Sequence, residues 1–393
     1  FIYSGRREGA IVMILTPNEQ QKELVRTIHE LCEQEIKPYY LSKDFARDYD
    51  FDWHLLELLG ELNLICPTVP VEYGGLGLDI FTVALIMEEI STVCPSLATI
   101  IETNIHFTQP LLLAGSDRQK EEILPKLTGK KACINSFALT EPTGGSDINS
   151  MTTRAERISD SFLINGRKDY VINAPDAEYI SLFAFTDPSH KKSTMRCFVL
   201  PRSTPGIRIG TLRDMSVLDY VRQAEIIFDN VKVTQDMILK EEAPYSGYFL
   251  LTQTFDSGRV LTAATSVGIA QAAYKLTRDF ANQRIQFNRK IVHHQAISYA
   301  LVDMATKIEM ARLLTWKACQ LILQGEDFTV ASAMAKLSAT TIAQEVTAAA
   351  ADILGASSLI KGSLINRLCN DARMLSIVEG TNNIQRNIIA SLL

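Results

Sequence analysis

The chain has 393 residues, of which 47% are hydrophobic and 21% are charged, a composition typical of a globular protein and not of a disordered one. At roughly 150 residues per domain, this length predicts two or three domains. Lys and Arg number 39 against 45 Asp and Glu, which gives a net charge of -6. Proteins that bind along a nucleic-acid backbone need an excess of basic residues to neutralise its phosphates, so we expect no nucleic-acid partner.

The cysteines and the first residues exclude further classes. The seven cysteines are scattered without a Cys-x-x-Cys pair, which argues against a zinc knuckle or a redox pair. Free thiols of this kind favour a reducing, cytoplasmic location. The apolar run at residues 10–15 is too short for a signal-peptide core or a membrane span. Met13 is a candidate start, so residues 1–12 are left out of the fold prediction.

Residues 15–130 show helical periodicity. Leu24, Ile28 and Leu31 recur at the spacing of one buried helix face, and Pro38 is expected to end that first helix. The same reasoning predicts helices over residues 51–62, 80–91, 97–114 and 117–127. The sequence therefore predicts an N-terminal helical domain.

Residues 131–242 change to short β-branched and aromatic runs separated by Asn, Gly, Asp and Pro. Such runs occupy residues 161–168, 179–185, 196–200 and 224–228. Because no helix-length segment lies between them, we expect an antiparallel sheet or a small barrel-like domain.

Residues 243–393 return to helical spacing. Six apolar residues fall on one helix face and indicate the seam of an antiparallel bundle: Ile297, Leu301, Met304, Ile308, Ala311 and Ala318. The alanine-rich stretch at residues 331–351 allows helices to approach closely. The whole chain is therefore predicted to be an α+β protein of three domains, helical, β and helical.

Several kinds of active site have no support. None of the six histidines belongs to a His-x-x-x-His or Glu-x-x-His pattern, so we expect no metal. The nucleophile pattern Gly-x-Ser-x-Gly and the phosphate-binding loop of nucleotide hydrolases do not occur.

Two segments are candidates for chemistry. Residues 138–150 contain a Gly-Gly-Ser turn whose backbone N–H groups and Ser146 hydroxyl suit an anion, although a plain surface turn has the same composition. In residues 377–386, Glu379 follows an apolar run and precedes Gly380 and Thr381. A carboxylate shielded from water on one side suits a general base; the alternative is a helix-end carboxylate without chemistry.

These two segments together make the chain resemble the acyl-CoA dehydrogenase flavoprotein family, from about residue 15 to residue 391. The match extends over every position from Ala138 to Ser150. Further matches are residues 72–77, Asn165-Gly166 with Lys168, residues 255–259, residues 284–287, His294-Gln295, Arg373, and Glu379-Gly380-Thr381. The resemblance implies an N-terminal α-helical domain, a middle β-barrel-like domain and a C-terminal four-helix bundle.

The resemblance also implies the activity. The expected reaction is the FAD-dependent α,β-dehydrogenation of an acyl thioester, from acyl-CoA to trans-2-enoyl-CoA. Glu379 would abstract the α-proton and flavin N5 would accept the β-hydride. Electron-transferring flavoprotein is the implied electron acceptor, and a homotetramer or homodimer is the implied assembly.

Site residues follow from the same matches. The cofactor-binding residues implied are Phe137, Leu139, Thr140, Gly145, Ser146, Tyr170, Ile172, Arg284, Phe287, Gln295, Asp352, Gly355, Thr381 and Asn383. Among these, Arg284 and Phe287 match residues that reach the cofactor of a neighbouring subunit. The substrate-binding residues implied are Ser146, Asp256, Arg259, Val378, Gly380 and Glu102. At Glu102, a carboxylate lining the acyl pocket would suit a short, polar or cyclic acyl group; the alternative is a helix residue paired with a neighbour.

Three departures from the family pattern keep more than one function open. Ile172 stands where a hydroxyl residue is usual, and Ala356 and Ser358 stand where glycines are usual. Ser391 replaces an arginine found near the adenine end of CoA, which favours a substrate on acyl carrier protein as an alternative. A flavoprotein oxidase that uses oxygen and a flavin-less scaffold of the same fold are two further hypotheses.

Overall fold

The computed structural model describes residues 15–43, 51–187, 189, 191–240 and 246–392. Residues 1–12 and Met13, the candidate start, lie outside this part of the chain. Within the described residues, no helix has the length and apolar character needed to cross a membrane.

The N-terminal region is helical, as predicted. Its helices are α1 (Glu19–Leu31), α2 (Lys37–Ser42), α3 (His54–Glu61), α4 (Ile80–Ser91), α5 (Pro95–Ala114) and α6 (Asp117–Ile123). Asn18 caps α1 through a capping box with Gln21, and Asp79 caps α4 by accepting from the N–H groups of Phe81 and Thr82. Helix α5 is buried along most of its length because it packs between other elements, so polar residues on it are also buried.

The prediction that Pro38 ends the first helix is wrong. A π-helical turn over Cys32–Ile36 joins α1 directly to α2. In that wider turn the Lys37 N–H bonds to the Cys32 carbonyl, five residues back. Pro38 then lies in the first turn of α2, where its missing N–H is not needed, so the proline is tolerated.

The middle region is a seven-stranded sheet. Its strands are β1 (Ser136–Ala138), β2 (Arg154–Ile158), β3 (Ser161–Ile172), β4 (Tyr179–Phe185), β5 (Met195–Pro201), β6 (Ile207–Arg213) and β7 (Gln223–Thr234). They lie in the order β1-β4-β2-β3-β7-β6, with β5 also paired to β4, and the one-turn helix α7 (Lys191–Thr194) precedes β5.

Most of these strand pairs are antiparallel, as expected, but β1 and β2 each run parallel to β4. Parallel neighbours need a long connection, and the chain between β1 and β4 supplies it by forming the β2–β3 hairpin. Strand β1 lies at the end of the sheet order and packs against α5. The segment after β1 is the glycine-containing segment singled out in the sequence.

The C-terminal region is a helical bundle. It contains α8 (Gly247–Gln283), a hairpin of β8 (Ile285–Gln286) and β9 (Arg289–Lys290), α9 (Gln295–Gln324), α10 (Thr329–Leu354), α11 (Leu364–Leu375) and α12 (Asn382–Leu392). The predicted seam is confirmed on α9, where Leu301, Met304, Ile308, Ala311 and Ala318 are buried and Ile297 is partly buried.

Helix α8 connects the two helical regions. It packs against α4 and α5 on one side and against α9 and α10 on the other, so one continuous apolar core runs through both regions. The sheet has a core of its own. Strand β1, the middle of α5, the first part of α8 and the turn between α11 and α12 meet around one cavity.

Candidate active site

A cavity of about 800 Å³ lies at this meeting point. Twelve of the residues implied by the family resemblance line it: Phe137, Leu139, Thr140, Gly145, Ser146, Tyr170, Ile172, Arg259, Val378, Glu379, Gly380 and Thr381. The structure therefore gathers, in one concave site, residues that the chain supplies from the sheet, from α8 and from the C-terminal turn. The fold brings these residues together although they are far apart in the sequence.

A second cavity of about 610 Å³ contains four other implied residues, namely Arg284, Phe287, Asp352 and Gly355. The Phe287 side chain is 89% exposed, and its backbone has a φ of 51°. An aromatic side chain held out from a left-handed backbone conformation is an unusual surface feature. Four implied residues line neither cavity: Gln295, Asn383, Asp256 and Glu102.

Glu379 lies in a tight turn between α11 and α12. Its φ of 54° and the φ of 78° at Gly380 are both left-handed. Glycine adopts this conformation freely, whereas at Glu379 it costs roughly 1–2 kcal/mol. The turn is held by Gln385, whose Nε2 donates to the carbonyls of Glu379 at 2.9 Å and of Gly380 at 2.7 Å. Lys336 Nζ donates to the Gly380 carbonyl as well, at 3.0 Å.

The Glu379 carboxylate is kept nearly dry, with 12% of its side chain exposed. Its Oε1 lies 3.5 Å from His106 Nδ1, while its Oε2 has no hydrogen-bond partner in the described part of the chain. The backbone N–H of Glu379 likewise makes no hydrogen bond to any described residue. A free carboxylate oxygen and a free N–H on the same residue suit proton removal next to an oxygen that gains negative charge.

Two cations are buried near this carboxylate. Lys336 is fully buried, and burial lowers the pKa of its ammonium to about 8 although the charge of Glu379 opposes the shift. Arg259 is paired with Asp256 on the same helix. Burial raises the pKa of the Asp256 carboxyl, against the effect of Arg259. Arg259 reaches the cavity and Asp256 lies behind it, so Asp256 orients the arginine from outside the cavity.

Glu102 is buried behind the cavity wall. Its Oε1 accepts a 2.6 Å hydrogen bond from Thr262 Oγ1 and lies 3.9 Å from His106 Nε2. Burial, followed by the nearby charge of Glu379, raises the pKa of Glu102 well above its ordinary value. The cavity wall itself is formed at this point by Thr103 and His106.

His106, Lys336 and Gln385 were not among the residues predicted from the sequence. A signal for His106 did exist, because Glu102 and His106 are one helical turn apart and are the two ionisable residues of helix α5. The ligand atoms of Glu102, His106 and Glu379 lie within 4.8 Å of one another, which is also a spacing that a metal ion accepts. Glu379 joins this cluster from a distant part of the chain, so the search for local metal motifs could not include it.

The sheet side of the cavity is fixed by a buried ion pair. Lys168 Nζ donates to the Leu139 carbonyl at 2.8 Å and to Glu141 Oε1 at 2.9 Å. Burial alone would raise the pKa of Glu141, but the Lys168 charge and hydrogen bonds from Thr153 and Thr152 lower it to about 2. The segment after β1 is therefore held rigidly where it enters the cavity wall.

Tyr170 and Ile172 come from the end of β3. The pairing of β3 with β7 shifts register between Lys168 and Val171, and Tyr170 in this bulge has a φ of 53°. The bulge turns the Tyr170 side chain outward, so that 54% of the residue is exposed at the cavity. Ile172 contributes apolar surface, and its carbonyl accepts a 2.9 Å bond from Ser136 Oγ.

Comparison with known proteins gives both the class and the family of this protein. Three family models match in order: the acyl-CoA dehydrogenase N-terminal domain at residues 18–131, the middle domain at residues 136–231 and the C-terminal domain at residues 246–393. The chain belongs to the acyl-CoA dehydrogenase family. This result confirms the resemblance, the fold class and the class of enzyme predicted from the sequence, and the family implies FAD as cofactor.

Individual relatives agree with the family assignment. The cyclohex-1-ene-1-carbonyl-CoA dehydrogenase of Syntrophus aciditrophicus (strain SB) is 34% identical over 94% of this chain and 89% of its own length. The structure of butyryl-CoA dehydrogenase from Megasphaera elsdenii has a TM-score of 0.91 at 29% identity, covering 97% of this chain and 99% of that one. The structure of the prolyl acyl carrier protein oxidase AnaB has a TM-score of 0.90 at 26% identity, covering 96% and 99%.

Proposed function

We propose that the chain catalyses the FAD-dependent α,β-dehydrogenation of an acyl thioester, with Glu379 as the base that removes the α-proton. The observation that supports this most is the state of the Glu379 side chain. It is 12% exposed, lines the 800 Å³ cavity and has an Oε2 without a hydrogen-bond partner in the described residues. A carboxylate in this position has one oxygen that no described residue occupies, and we assign the substrate proton to it.

The residues of the cavity fit FAD. The wall combines apolar and aromatic side chains with hydroxyls, a combination that suits a flat ring system carrying polar edges. Phe137, Leu139, Tyr170 and Ile172 supply the apolar surface, and Thr140, Ser146 and Thr381 supply the hydroxyls. When bound, FAD would supply the acceptor for the β-hydride, which no protein side chain can provide.

The protein supplies the base and its surroundings. The α-proton of a thioester is a weak acid, so its removal needs an oriented base and donors aimed at the thioester oxygen as charge develops there. The strained turn fixes the Glu379 carboxylate. The backbone N–H of Glu379 has no competing partner in the described structure. Arg259, held by Asp256, is the candidate for orienting the thioester carrier.

The second cavity supports an oligomer. It holds Arg284 and Phe287, which the resemblance relates to the cofactor of a neighbouring subunit, beside the implied cofactor-binding residues Asp352 and Gly355. The 89% exposure of Phe287 is explained if another copy of the chain brings its FAD against this side chain. We propose a homotetramer, with a homodimer as the smaller unit that would also complete the site.

The acyl group is proposed to be short or cyclic. Two of the proteins named above are dehydrogenases of cyclohex-1-ene-1-carbonyl-CoA and of butyryl-CoA, and the cavity wall of this chain includes the polar residues Thr103 and His106. CoA is the proposed carrier and electron-transferring flavoprotein the proposed acceptor. An acyl carrier protein substrate with oxygen as acceptor is the second candidate, favoured by the likeness to the prolyl acyl carrier protein oxidase.

An anaerobic titration tests these proposals. Purified holoenzyme would be mixed with butyryl, cyclohexenecarbonyl and long-chain acyl groups, each carried on CoA and on acyl carrier protein. Bleaching of the flavin absorption band at about 450 nm reports reduction of the flavin. We expect bleaching by the short or cyclic CoA thioesters. Bleaching by carrier-protein thioesters alone, with peroxide formed in air, would support the second candidate, and no bleaching by any thioester would contradict both.

A further inference from the structure

His106 lies between two buried carboxyl groups. His106 and Glu102 are one turn apart on α5, and Glu379 approaches from the turn before α12. Nδ1 of His106 is 3.5 Å from Glu379 Oε1, and Nε2 is 3.9 Å from Glu102 Oε1. The side chains of Glu102 and His106 are each 7% exposed, so water contributes little at this point.

Two atoms of this cluster are buried without a partner. Neither His106 Nε2 nor Glu379 Oε2 makes a hydrogen bond within residues 15–43, 51–187, 189, 191–240 and 246–392. Buried polar atoms normally find partners, and unsatisfied ones in a native structure need an explanation. Catalytic hydrogen bonds are often long before substrate binds and shorten in the complex, which fits the 3.5 Å and 3.9 Å separations.

The charges around the cluster favour one protonation pattern. Burial and the charge of Glu379 both raise the pKa of Glu102, and both therefore favour its neutral form. The other charged groups facing the cluster are Lys336 on α10 and Arg259, the latter already paired with Asp256 on α8. With Glu102 neutral, the cluster contains a single negative charge, on Glu379, opposite the Lys336 ammonium.

We propose that His106 is a positioning residue for Glu379. In this arrangement the Nδ1–H of His106 donates to Oε1 of Glu379, and the carboxylic acid of Glu102 donates to Nε2. Glu102 thereby fixes the tautomer of His106, as the outer partner of a histidine commonly does. The inference rests on the proposed role of Glu379 as base and adds the means by which its carboxylate is oriented.

The arrangement has a consequence for the reaction. Binding Oε1 to His106 leaves Oε2 as the oxygen without a described partner, and the proposal assigns the substrate proton to it. The ring of Phe137 packs edge-on against His106 at a centroid distance of 5.8 Å and limits rotation of the imidazole. Thr262 holds Glu102 from the opposite side through the 2.6 Å bond to its Oε1.

Two substitutions at His106 separate this role from simple packing. In His106→Asn the amide nitrogen falls near the position of Nδ1, whereas in His106→Gln it falls near the position of Nε2. Losing a hydrogen bond to a charged group costs about 10- to 100-fold in rate. We expect His106→Gln to lose that factor in the anaerobic rate of flavin reduction, and His106→Asn to recover most of it. Equal rates in the two variants would overturn the proposal.

The pH profile gives a second readout that packing would not change. Without the Nδ1–H donor the ionised form of the base is less stabilised, so the rise of the flavin-reduction rate should move to higher pH in His106→Gln. FAD content and the thermal unfolding midpoint would be measured alongside. A profile identical to that of the wild type in this variant would overturn the proposal.

A matched pair of variants tests the role of Glu102. Glu102→Gln keeps a group that donates to Nε2 and should recover most of the rate lost in Glu102→Leu. If Glu102→Gln is as slow as Glu102→Leu, Glu102 acts as an anion and the proposed tautomer is wrong. The variant Glu379→Gln tests the proposed function independently of His106. If thioesters still bleach the flavin in Glu379→Gln, Glu379 is not the base, whatever the His106 variants show.

Discussion

Gly258 lies so close to His106 that a side chain at position 258 would displace its neighbours. A Cβ atom built there would come within 2.3 Å of His106 Nε2 and 3.0 Å of Glu379 Oε2. A glycine in the middle of a helix normally weakens it, by roughly 0.5–1 kcal/mol relative to alanine. At this point of α8 its absence of a side chain gives the histidine and the carboxylate room to approach each other.

Gly258→Ala should therefore slow the enzyme. The added methyl group displaces His106 or Glu379, and a displacement of about 1 Å at a reacting group costs on the order of 100-fold in rate. Gly268→Ala, on the same helix but away from the cavity, is the matched control, because its Cβ would come within 2.2 Å of the Glu88 carbonyl. The control should lower the thermal midpoint and keep the rate per bound FAD. A wild-type rate in Gly258→Ala would contradict the close packing described here.

Lys336 should make stability depend on pH above neutrality. Burial lowers the pKa of its ammonium to about 8 from 10.5 in the unfolded chain. Between these values the unfolded state binds more protons, so the free energy of unfolding rises with pH. We expect the wild type to gain stability relative to Lys336→Met from pH 8 to pH 10.5, as measured by urea unfolding. Parallel pH profiles for the two proteins would disagree with this expectation.

Asp371 should have the opposite effect at lower pH. Its Oδ1 accepts a 2.6 Å bond from the Leu218 N–H, and burial raises the pKa of the carboxyl to about 7 from 3.8. Between these values the folded state binds more protons, so stability present below pH 3.8 is lost as pH rises through 7. The difference is at most about 1.4 kcal/mol for each pH unit.

The isosteric variant Asp371→Asn checks this. Its carbonyl still accepts from Leu218 but does not titrate, so its unfolding free energy should change less than that of the wild type from pH 4 to pH 7. Leu218 follows Met215, Ser216 and Val217, which line the 800 Å³ cavity of the candidate active site. Calorimetric midpoints that fall equally in both proteins would show that another group is responsible.

We expect the cluster of Glu102, His106 and Glu379 to act without a metal. A metal ion bound there would occupy the carboxylate that must accept the α-proton, and Lys336 already balances its charge. Dialysis against a chelator should leave flavin reduction unchanged, and elemental analysis should find less than one ion per chain. One tightly bound ion that disappears in His106→Gln would contradict the role given to Glu379.

Continuous apolar segments were the elements that the sequence predicted best. Helix α4 and strand β4 occupy the predicted residues because each is a buried run with clear ends. Strands β2 and β6 were not predicted, since most of their residues are exposed or only partly buried and give a weak hydrophobic pattern. The continuation of the first helix through Pro38 depends on a π-helical turn that no residue pattern marks.

The site was predictable where a motif exists. Glu379 and the segment after β1 follow from the family resemblance, whereas Lys336 and His106 do not. Each is the only residue of its type in its helix and belongs to no local motif, and the groups that Lys336 contacts and the Glu379 that approaches His106 come from other elements. Their effect on the site depends on tertiary packing, which brings α5 and α10 to the turn before α12.

The central claim is that the Glu379 carboxylate removes the α-proton, and an isosteric substitution tests it most directly. Glu379→Gln should bind FAD with an unchanged absorption band at about 450 nm. Mixed anaerobically with a thioester that bleaches the wild type, this variant should show no flavin reduction. Bleaching of the variant at the wild-type rate would contradict the account.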